Sequence, residues 1–382
     1  MESDHTIYVR TEAALSTAEW QRWDQLNGAG PFLSSAFLRS LEESGSVGNG
    51  SGWIPVYFLA EQHSELIGAA VGYIKTDSYG EYIFDWAWAN AARRAGIAYY
   101  PKLVFAAPVS PVTGHRILLA DGADPDRVTH AIVECALELA NAANCSSIHW
   151  LFCTAAESLR LASHGFTPRA TFQYHWHNRD FKNFDDFLAA LTSRKRKKFR
   201  KERRRALDAI DELRFIPGGE LEPSTLAELD RFYRANVAAH GGFDYLRPGF
   251  FELLAERAPD TLLYARATRD GDALGGAIFL ESDQGLYGRY WGCQDHVEFL
   301  HFEVAYYSGI ERCIDKGIPL FEAGAQGTHK LFRGFEPHRT YSAHLIRHSG
   351  LARAIAEFCR QEAIEIEAEM AHQASFGPFR KG

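Results

Sequence analysis

The sequence predicts a mixed α/β protein in which one α/β unit occurs twice. Tyr57 begins a strand-like run and Gly68 opens a second run eleven residues later; Tyr264 and Gly275 repeat this spacing. A polar turn separates the two runs in both places, and the second turn contains the Asp-Gly pair that favours a hairpin. Two hairpins of equal length indicate a duplicated unit, each with a central twisted mixed sheet flanked by helices.

Each predicted hairpin lies within the same order of elements. A short amphipathic pattern precedes the hairpin, and a longer helical pattern followed by an apolar strand comes after it. The order helix, hairpin, helix, strand is therefore present in both halves. The preceding patterns lie at 37–41 and 250–254, the longer helices at 128–143 and 301–316, and the strands at 147–152 and 318–321.

The segment 178–217 is predicted to connect the two halves. Asn183 and the acidic residues after it are typical of a helix start, and apolar residues then recur at helical spacing. A basic block at 194–205 is expected to continue this helix, which Pro217 and two glycines would end. The predicted organisation is a first domain at 1–180, a basic connecting helix at 181–216, a second domain at 217–350, and a C-terminal helix and tail at 351–382.

Composition narrows the functional class. The chain has 382 residues, of which 46% are hydrophobic, enough for two or three domain cores. We expect neither a signal peptide nor a membrane helix, because no apolar run approaches the roughly 18 residues required. The six cysteines form no CxxC pair, so neither a disulfide framework nor a metal site is predicted. A reduced, cytoplasmic protein is the simplest interpretation.

The basic block at 194–205 stands out in an acidic chain. It holds ten basic residues and one acidic residue, whereas the whole chain has a net charge of −8. One interpretation is a helix that contacts a polyanion such as tRNA. The other is a solvated helix whose charges neutralise acidic neighbours. The residues predicted to bind a polyanion are Arg194, Lys195, Lys197, Lys198 and Lys201.

Polar and titratable residues are concentrated between 286 and 337, interleaved with glycines. Buried polar groups cost free energy unless they are paired, so this density favours a lined pocket over an ordinary surface sheet. No Walker loop, dinucleotide fingerprint or nucleophile elbow is present. His301 and Glu303 lie two residues apart on a predicted helix and point to different sides, which argues against a shared metal ion.

Several long motifs resemble the FemAB-like family of peptidoglycan biosynthesis/recognition proteins, within the GNAT acyltransferase superfamily. The resemblance extends along nearly the whole chain. The motifs are Pro108–Gly114 with Arg116, Gln173–Asn178, Phe184–Leu188 with the basic block, Gly288–Cys293, Leu300–Glu303, Phe321–Gly327, and His329, Lys330 and Arg333 with Gly334 and Phe335.

This resemblance implies two tandem GNAT-like domains. Better understood relatives transfer amino acids from aminoacyl-tRNA to an amine on a peptidoglycan precursor, and others in the superfamily take acyl groups from coenzyme A. The usual pyrophosphate-binding loop is not visible in either half, and the segment 294–300 in its place is acidic and lacks glycine. The long helical arm of FemA-type enzymes is also missing. The donor, aminoacyl-tRNA or acyl-CoA, therefore stays open, and no tightly bound cofactor is expected.

The reaction that the resemblance implies is N-acyl transfer, in which an amine attacks an activated ester or thioester. Glu303 or His301 would accept the amine proton, and Lys330 and Arg333 would offset charge on the oxyanion or bind a phosphate. The predicted substrate-binding residues are Arg116 and His175, in a cleft between the domains, the aromatic residues Trp176, Tyr290 and Trp291, and the polar residues Arg289, Glu322, Gln326 and His329.

A second interpretation is a GNAT-like recognition module that binds a cell-wall or peptide ligand without turnover. Single changes in a catalytic site should abolish activity and leave binding intact, whereas a recognition module has only binding to lose. The expected partners are a small-molecule or peptide amine acceptor and, through the basic block, tRNA, a carrier protein or a membrane surface.

Overall fold

The computed structural model of the protein describes residues 6–239, 242–324 and 327–380. Backbone contacts divide the chain into two compact units. Unit 1 comprises residues up to Thr171 together with Arg339–Glu367, and unit 2 comprises Phe172–His338 together with the residues from Ala368 onward.

The described residues form thirteen strands. In chain order they are β1 Tyr8–Glu12, β2 Ile54–Gln62, β3 Glu65–Lys75, β4 Lys102–Phe105, β5 Leu118–Leu119, β6 Ser147–Cys153, β7 Thr167–His177, β8 Glu212–Pro217, β9 Leu262–Arg269, β10 Asp272–Ser282, β11 Gly285–Cys293, β12 Leu320–Glu322 and β13 Glu336–Ile346.

The α-helices alternate with these strands. They are α1 Thr17–Trp23, α2 Gly30–Leu33, α3 Ser35–Glu43, α4 Trp86–Arg94, α5 Pro125–Ala142, α6 Ala155–Ser163, α7 Phe184–Ala190, α8 Ser193–Leu207, α9 Pro223–Ala239, α10 Phe250–Arg257, α11 Leu300–Phe302, α12 Ser308–Lys316 and α13 Ser349–Ala374. A π-helical turn, Glu303–Tyr307, joins α11 to α12, and 3₁₀ turns occupy Gly218–Glu220 and Thr328–Arg333.

Unit 1 contains a mixed sheet in the order β1-β2-β3-β4-β6-β13, with β5 beside β3. Only β4 and β6 run parallel in this sequence of strands. The long helix α5 covers one face, and its buried residues join a core in which the rings of Phe105 and Trp150 stack with centroids 3.8 Å apart. Asp124 caps α5 and accepts from two backbone N–H groups, which fixes the start of this helix.

Unit 2 has a sheet of the same form, in the order β8-β9-β10-β11-β12-β7. Here β11 and β12 are the parallel pair, and their pairing lasts for only two residue pairs, Leu286 with Phe321 and Tyr287 with Glu322. Beyond these pairs β11 continues to Cys293 without β12 beside it. The helices from Leu300 to Lys316 supply much of the core that packs on this sheet.

The predicted repeat is confirmed in the register of the two hairpins. Ala60 pairs with Gly68 in unit 1, and Ala267 pairs with Gly275 in unit 2, each three residues after the tyrosine that marks the repeat. A β-bulge lies next to the glycine in both hairpins. The mixed α/β class and the two similar sheets are therefore as predicted.

The two sequence halves exchange their last strands. The last strand of the first half, β7, pairs in unit 2, and the last strand of the second half, β13, pairs in unit 1. β6 pairs with β13, which lies much later in the chain; His149, for example, pairs with His344, 195 positions away. The C-terminal part of β7 pairs with β12 in unit 2. The predicted domain ranges do not anticipate this exchange, because alternating apolar residues show that a segment is a strand without showing its partner.

The prediction of one continuous connecting helix is wrong. Leu191 and Thr192 are both extended, so α7 ends before them and α8 begins after them. α8 ends at Leu207, and the segment expected to continue it is strand β8, paired with β9. Both helices and β8 belong to unit 2. Apolar residues recur at helical spacing on both sides of the break, so the sequence pattern does not reveal it.

Because β13 pairs with β6 in the sheet of unit 1, we predict that a residue of β13 controls the stability of unit 1. Ala343 is fully buried opposite Trp150, so we expect Ala343→Asp to cost about 3 kcal/mol or more of unfolding free energy by burying an unpaired carboxylate. Urea unfolding followed by tryptophan fluorescence measures this loss. Ala371→Asp, at an exposed position of α13, is the control and should change stability little. Equal stability of the two variants would contradict the pairing of β6 with β13.

Candidate functional site

Three buried ionisable residues meet in unit 2 where β11 and β12 part. We call Arg289, Glu322 and Lys330 the central charge cluster. Arg289 Nη2 lies 3.5 Å from Glu322 Oε2, and Lys330 Nζ donates to the carbonyl of Gly324 at 2.8 Å. Lys330 and Glu322 are each 2% exposed. Gly324 has φ +83°, a conformation that favours glycine and lets its carbonyl face Lys330.

Burial determines the protonation of this cluster. Desolvation, with the neighbouring Arg289 guanidinium, lowers the pKa of Lys330 to about 7. His175 pairs across the strands with Glu322, and its Nε2 lies 3.8 Å from Glu322 Oε1. Burial also lowers the pKa of His175 well below its usual value. The structure brings together Arg289, Glu322 and Lys330, three residues of the polar stretch 286–337, and places His175, which was predicted in a cleft with Arg116, next to Glu322.

Arg333 is part of a second group of polar residues in unit 2. Its Nη2 donates to Glu202 at 3.2 Å, and its guanidinium lies 3.3 Å from the centre of the Phe302 ring. Tyr307 donates a short hydrogen bond to the same Glu202 carboxylate. Glu202 is the one acidic residue of the basic block, and it is buried. Arg333 is therefore held by a carboxylate and a ring, which accounts for its burial.

His301 and His329 lie among aromatic rings beside the π-helical turn. Trp291 stacks on His301 with ring centroids 5.1 Å apart. His329 Nε2 is 3.0 Å from the hydroxyl of Tyr306, and burial together with Arg333 and Lys330 lowers the pKa of His329 to about 4. π-helical turns are frequent at functional sites, because the extra residue redirects side chains. Sequence reasoning did not identify Tyr306.

Glu303 is held in an ion pair with the basic helix. Arg203 donates to both carboxylate oxygens at 2.8–3.1 Å and to Glu311 at 2.6 Å. Glu303 is fully buried, and burial raises its pKa while Arg203 opposes that rise. A carboxylate bound on both oxygens is poorly placed to accept a proton from a substrate. These contacts favour a structural role over the general-base role predicted from the sequence.

Several other predicted site residues make structural contacts of their own. Arg116 belongs to unit 1, where it donates to the carbonyls of Val112, Leu151 and Phe152 and organises its own loop. Trp176 alternates with His175 along β7 and is fully buried in the core of unit 2. Tyr290 alternates with Arg289 and Trp291 and contacts Tyr233 edge-on. Gln326 lies outside the described residues.

The family relationship is decided by comparison of sequence and fold. Residues 14–381 match the family model described as peptidoglycan biosynthesis/recognition, FemAB-like. The chain belongs to the FemAB-like family. No curated protein matches it.

Solved structures agree with the fold of this FemAB-like protein. The crystal structure of FemX has a TM-score of 0.55 at 11% identity, covering 91% of this chain and all of the FemX chain. A conserved protein of unknown function from Bacteroides thetaiotaomicron VPI-5482 has a TM-score of 0.53 at 12% identity, with 88% and 99% covered.

The basic helix α8 of this FemAB-like protein has two different sides. Arg203, Arg205 and Arg200 pair with Glu303, Glu298 and Asp185, as the charge-neutralising interpretation expected. Arg194, Lys197, Lys201 and Arg204 follow the spacing of one helical face and are exposed. Among the described residues, no acidic group forms an ion pair with these four. Lys198 contacts Glu202, and Lys195 lies over the Phe332 ring.

Unit 1 contains a buried charge group that sequence reasoning missed. Lys102 Nζ donates to Glu81 at 2.9 Å and to Ser78 at 2.8 Å, and it also contacts Asp85. Burial raises the pKa of Glu81 to about 7. Lys75 lies 3.8 Å from the centre of the Trp53 ring. The residues are spread over three separate segments of the chain, so no sequence motif marks them.

Unit 1 also contains a pocket of about 520 Å³ beside Tyr99 and His348, and none of the predicted site residues lines it.

The ion pair of Glu303 predicts a stability effect. We expect Glu303→Gln to lower the free energy of unfolding by about 2–4 kcal/mol, because Arg203 then keeps a partly buried charge without its main partner. Denaturant unfolding at pH 7 provides the measurement. Glu298→Gln is the matched control, since its pair with Arg205 is exposed and should contribute less than about 1 kcal/mol. An unchanged midpoint for Glu303→Gln, combined with lost turnover, would restore the general-base role.

Proposed function

We propose that this FemAB-like protein is an N-acyltransferase that transfers an aminoacyl or acyl group from an activated ester or thioester to an amine on a peptidoglycan precursor. The observation that carries the proposal is the central charge cluster, where a lysine of lowered pKa and an arginine lie together beside the open part of β11. Strongly perturbed ionisable groups concentrate at functional sites. Membership of a family described as peptidoglycan biosynthesis/recognition supports a peptidoglycan precursor as the acceptor.

Lys330 is the proton acceptor in this proposal. With a pKa of about 7, a large fraction of its amines are neutral near neutral pH and have a free lone pair. The ammonium form of an amine substrate must lose a proton before or during attack on the carbonyl. Neutral Lys330 takes that proton and returns it to the leaving alcohol or thiol as the carbonyl carbon–oxygen or carbon–sulfur bond breaks. The Gly324 carbonyl accepts a hydrogen bond from the Lys330 nitrogen.

Arg289 is the electrostatic partner. Its guanidinium stays cationic, because an arginine does not lose its proton at physiological pH even when burial lowers its pKa. When the carbonyl carbon becomes tetrahedral, negative charge develops on its oxygen, and a fixed buried cation stabilises that charge more than water does. Glu322 offsets the positive charge of Arg289 in the resting state.

The exposed face of α8 favours a polyanionic donor, and we propose aminoacyl-tRNA in preference to acyl-CoA. Four cations at helical spacing can contact several successive phosphates, whereas coenzyme A presents fewer. No pyrophosphate-binding glycine loop precedes α11, which leaves coenzyme A without its usual site.

None of the described helices combines the length and the apolar character that a membrane span requires. A cytoplasmic location stays a prediction.

The role of Lys330 predicts a pH-dependent loss of activity. Wild-type turnover should rise with pH through about 7 as Lys330 loses its proton, and Lys330→Met should lower turnover at least tenfold and remove that rise. Mass spectrometry of a peptidoglycan-precursor pool, incubated with aminoacyl-tRNA or acyl-CoA, measures transfer. Lys316→Met, at an exposed position of α12, is the control. Precursor binding without transfer from either donor would favour the recognition module.

The same substitution separates the proton acceptor from a merely structural lysine. Because the pKa of folded Lys330 lies below the ordinary lysine value, the unfolded chain binds more protons, and stability should rise from about pH 7 to about pH 10. Lys330→Met should remove that part of the rise. If stability loses its pH dependence while turnover keeps its rise through pH 7, Lys330 is buried but does not accept the substrate proton.

The donor preference predicts a salt-sensitive interaction through α8. We expect Lys197→Glu/Lys201→Glu to weaken tRNA binding at least tenfold, because two phosphate contacts become repulsive. Filter binding over a salt series from 50 to 200 mM is the measurement. Arg93→Glu/Arg94→Glu on α4 makes the same charge change at exposed positions and should leave affinity nearly unchanged. Wild-type affinity that does not depend on salt would exclude the polyanion interpretation.

A further inference from the structure

Three histidines of unit 2 converge outside the predicted catalytic residues. His175 and His177 point to one face of β7, because alternate residues of a strand share a face. His338, at the start of β13, stacks on His175 with ring centroids 4.4 Å apart. One ring nitrogen from each of the three lies within 4.8 Å of the others. His338 is more than 160 positions away from the other two histidines, so no sequence motif marks this group.

His175 is buried without a hydrogen-bond partner. Its side chain is about 2% exposed, and neither ring nitrogen has a hydrogen-bond partner among the described residues. Buried imidazoles are normally hydrogen-bonded, so two such nitrogens in one ring require a ligand or a cost in free energy. His177 is half-buried and His338 is exposed, so the group is reachable from one side. This combination of a buried, unsatisfied ligand atom and an open approach is typical of a binding site rather than a core.

The charge state of the three rings suits a cation. Burial lowers the pKa of all three histidines, so they are neutral at physiological pH, and only neutral imidazole offers the lone pair that a metal ion needs. Arg289 and Lys330 oppose a cation near His175, but Glu322 lies 3.8 Å from His175 Nε2 and supplies the nearest negative charge. Glu336 acts in the same way on His177, and Arg179, which pairs with Glu336, opposes it.

We propose that His175, His177 and His338 bind one divalent transition-metal ion of the zinc class. Three imidazoles around one point match the nitrogen-rich sites that zinc prefers, with water or Glu322 in the fourth position. Zinc–nitrogen bonds of about 2.0–2.1 Å place the ligand nitrogens about 3.3 Å apart, so small side-chain rotations from the present separations complete the site. The proposal does not depend on acyl transfer.

The test uses the full chain, freed of metal with EDTA and titrated with Zn²⁺ in a calorimeter. We expect one zinc per chain, and His177→Ala and His338→Ala should each weaken binding at least tenfold. The control is His130→Ala/His164→Ala, which removes a stacked histidine pair of unit 1 outside the site. Circular dichroism verifies that each variant is folded. Absence of stoichiometric binding to wild type, or unchanged affinity in both site variants, overturns the proposal.

Cobalt provides a readout that needs no variant. Co²⁺ bound by three imidazoles should show visible d–d absorption bands without a thiolate-to-metal charge-transfer band in the near ultraviolet. Such a spectrum, abolished by one equivalent of Zn²⁺, supports the histidine site even if a histidine variant fails to fold. A strong thiolate band would instead assign the metal to one of the six cysteines and overturn the proposal.

Discussion

The antiparallel pairing of β7 with β12 is the contact on which the organisation of unit 2 depends. It places His175 opposite Glu322 and Trp176 opposite Phe321, so one face of β7 meets the polar site while the other enters the core. Strand periodicity leaves no freedom in this arrangement, since a slip of one residue would exchange the two faces. The same pairing brings His177 to the side on which His338 lies. The charge cluster, the core and the histidine site therefore depend on one register.

Buried charge is the main energetic constraint on the polar residues of unit 2. Removing an ion from water costs several kcal/mol, and the attraction to an oppositely charged partner offsets this free energy only if the geometry is good. α8 meets the constraint by directing Arg203 to Glu303 and Glu311, and Glu202 to Arg333. Lys330 differs from these residues, because its Nζ makes its short contact with a neutral carbonyl. That contact stabilises the ammonium less than a carboxylate would, which is consistent with the lowered pKa of Lys330.

The two units share a sheet plan but not their buried charges. Each has a hairpin with the same register, and each has one parallel strand pair, β4 with β6 and β11 with β12. The described part of unit 1 has two buried lysines. Lys102 contacts two carboxylates, so its charge is well compensated and its pKa is raised, whereas burial lowers the pKa of Lys75 to about 8. Lys330, with a pKa of about 7, has the lowest pKa of these three lysines.

The sequence by itself determined the mixed α/β class, the repeated hairpin and the family. Spacing and periodicity are local properties that survive without knowledge of contacts, as the equal registers at Gly68 and Gly275 demonstrate. It also predicted a polar site in the stretch 286–337, which contains Arg289, Glu322 and Lys330.

Only the tertiary structure decided which groups are paired and which strands are partners. The exchange of β13 into unit 1, the break at Leu191 and the capture of Glu303 by Arg203 all join residues whose relation has no local signature. Glu303, predicted to be a general base, is an ion-pair partner of Arg203. Lys330, predicted to carry a fixed positive charge, has a pKa of about 7. The physical reason is that protonation and pairing depend on desolvation and on neighbours distant in sequence, and folding alone brings these together.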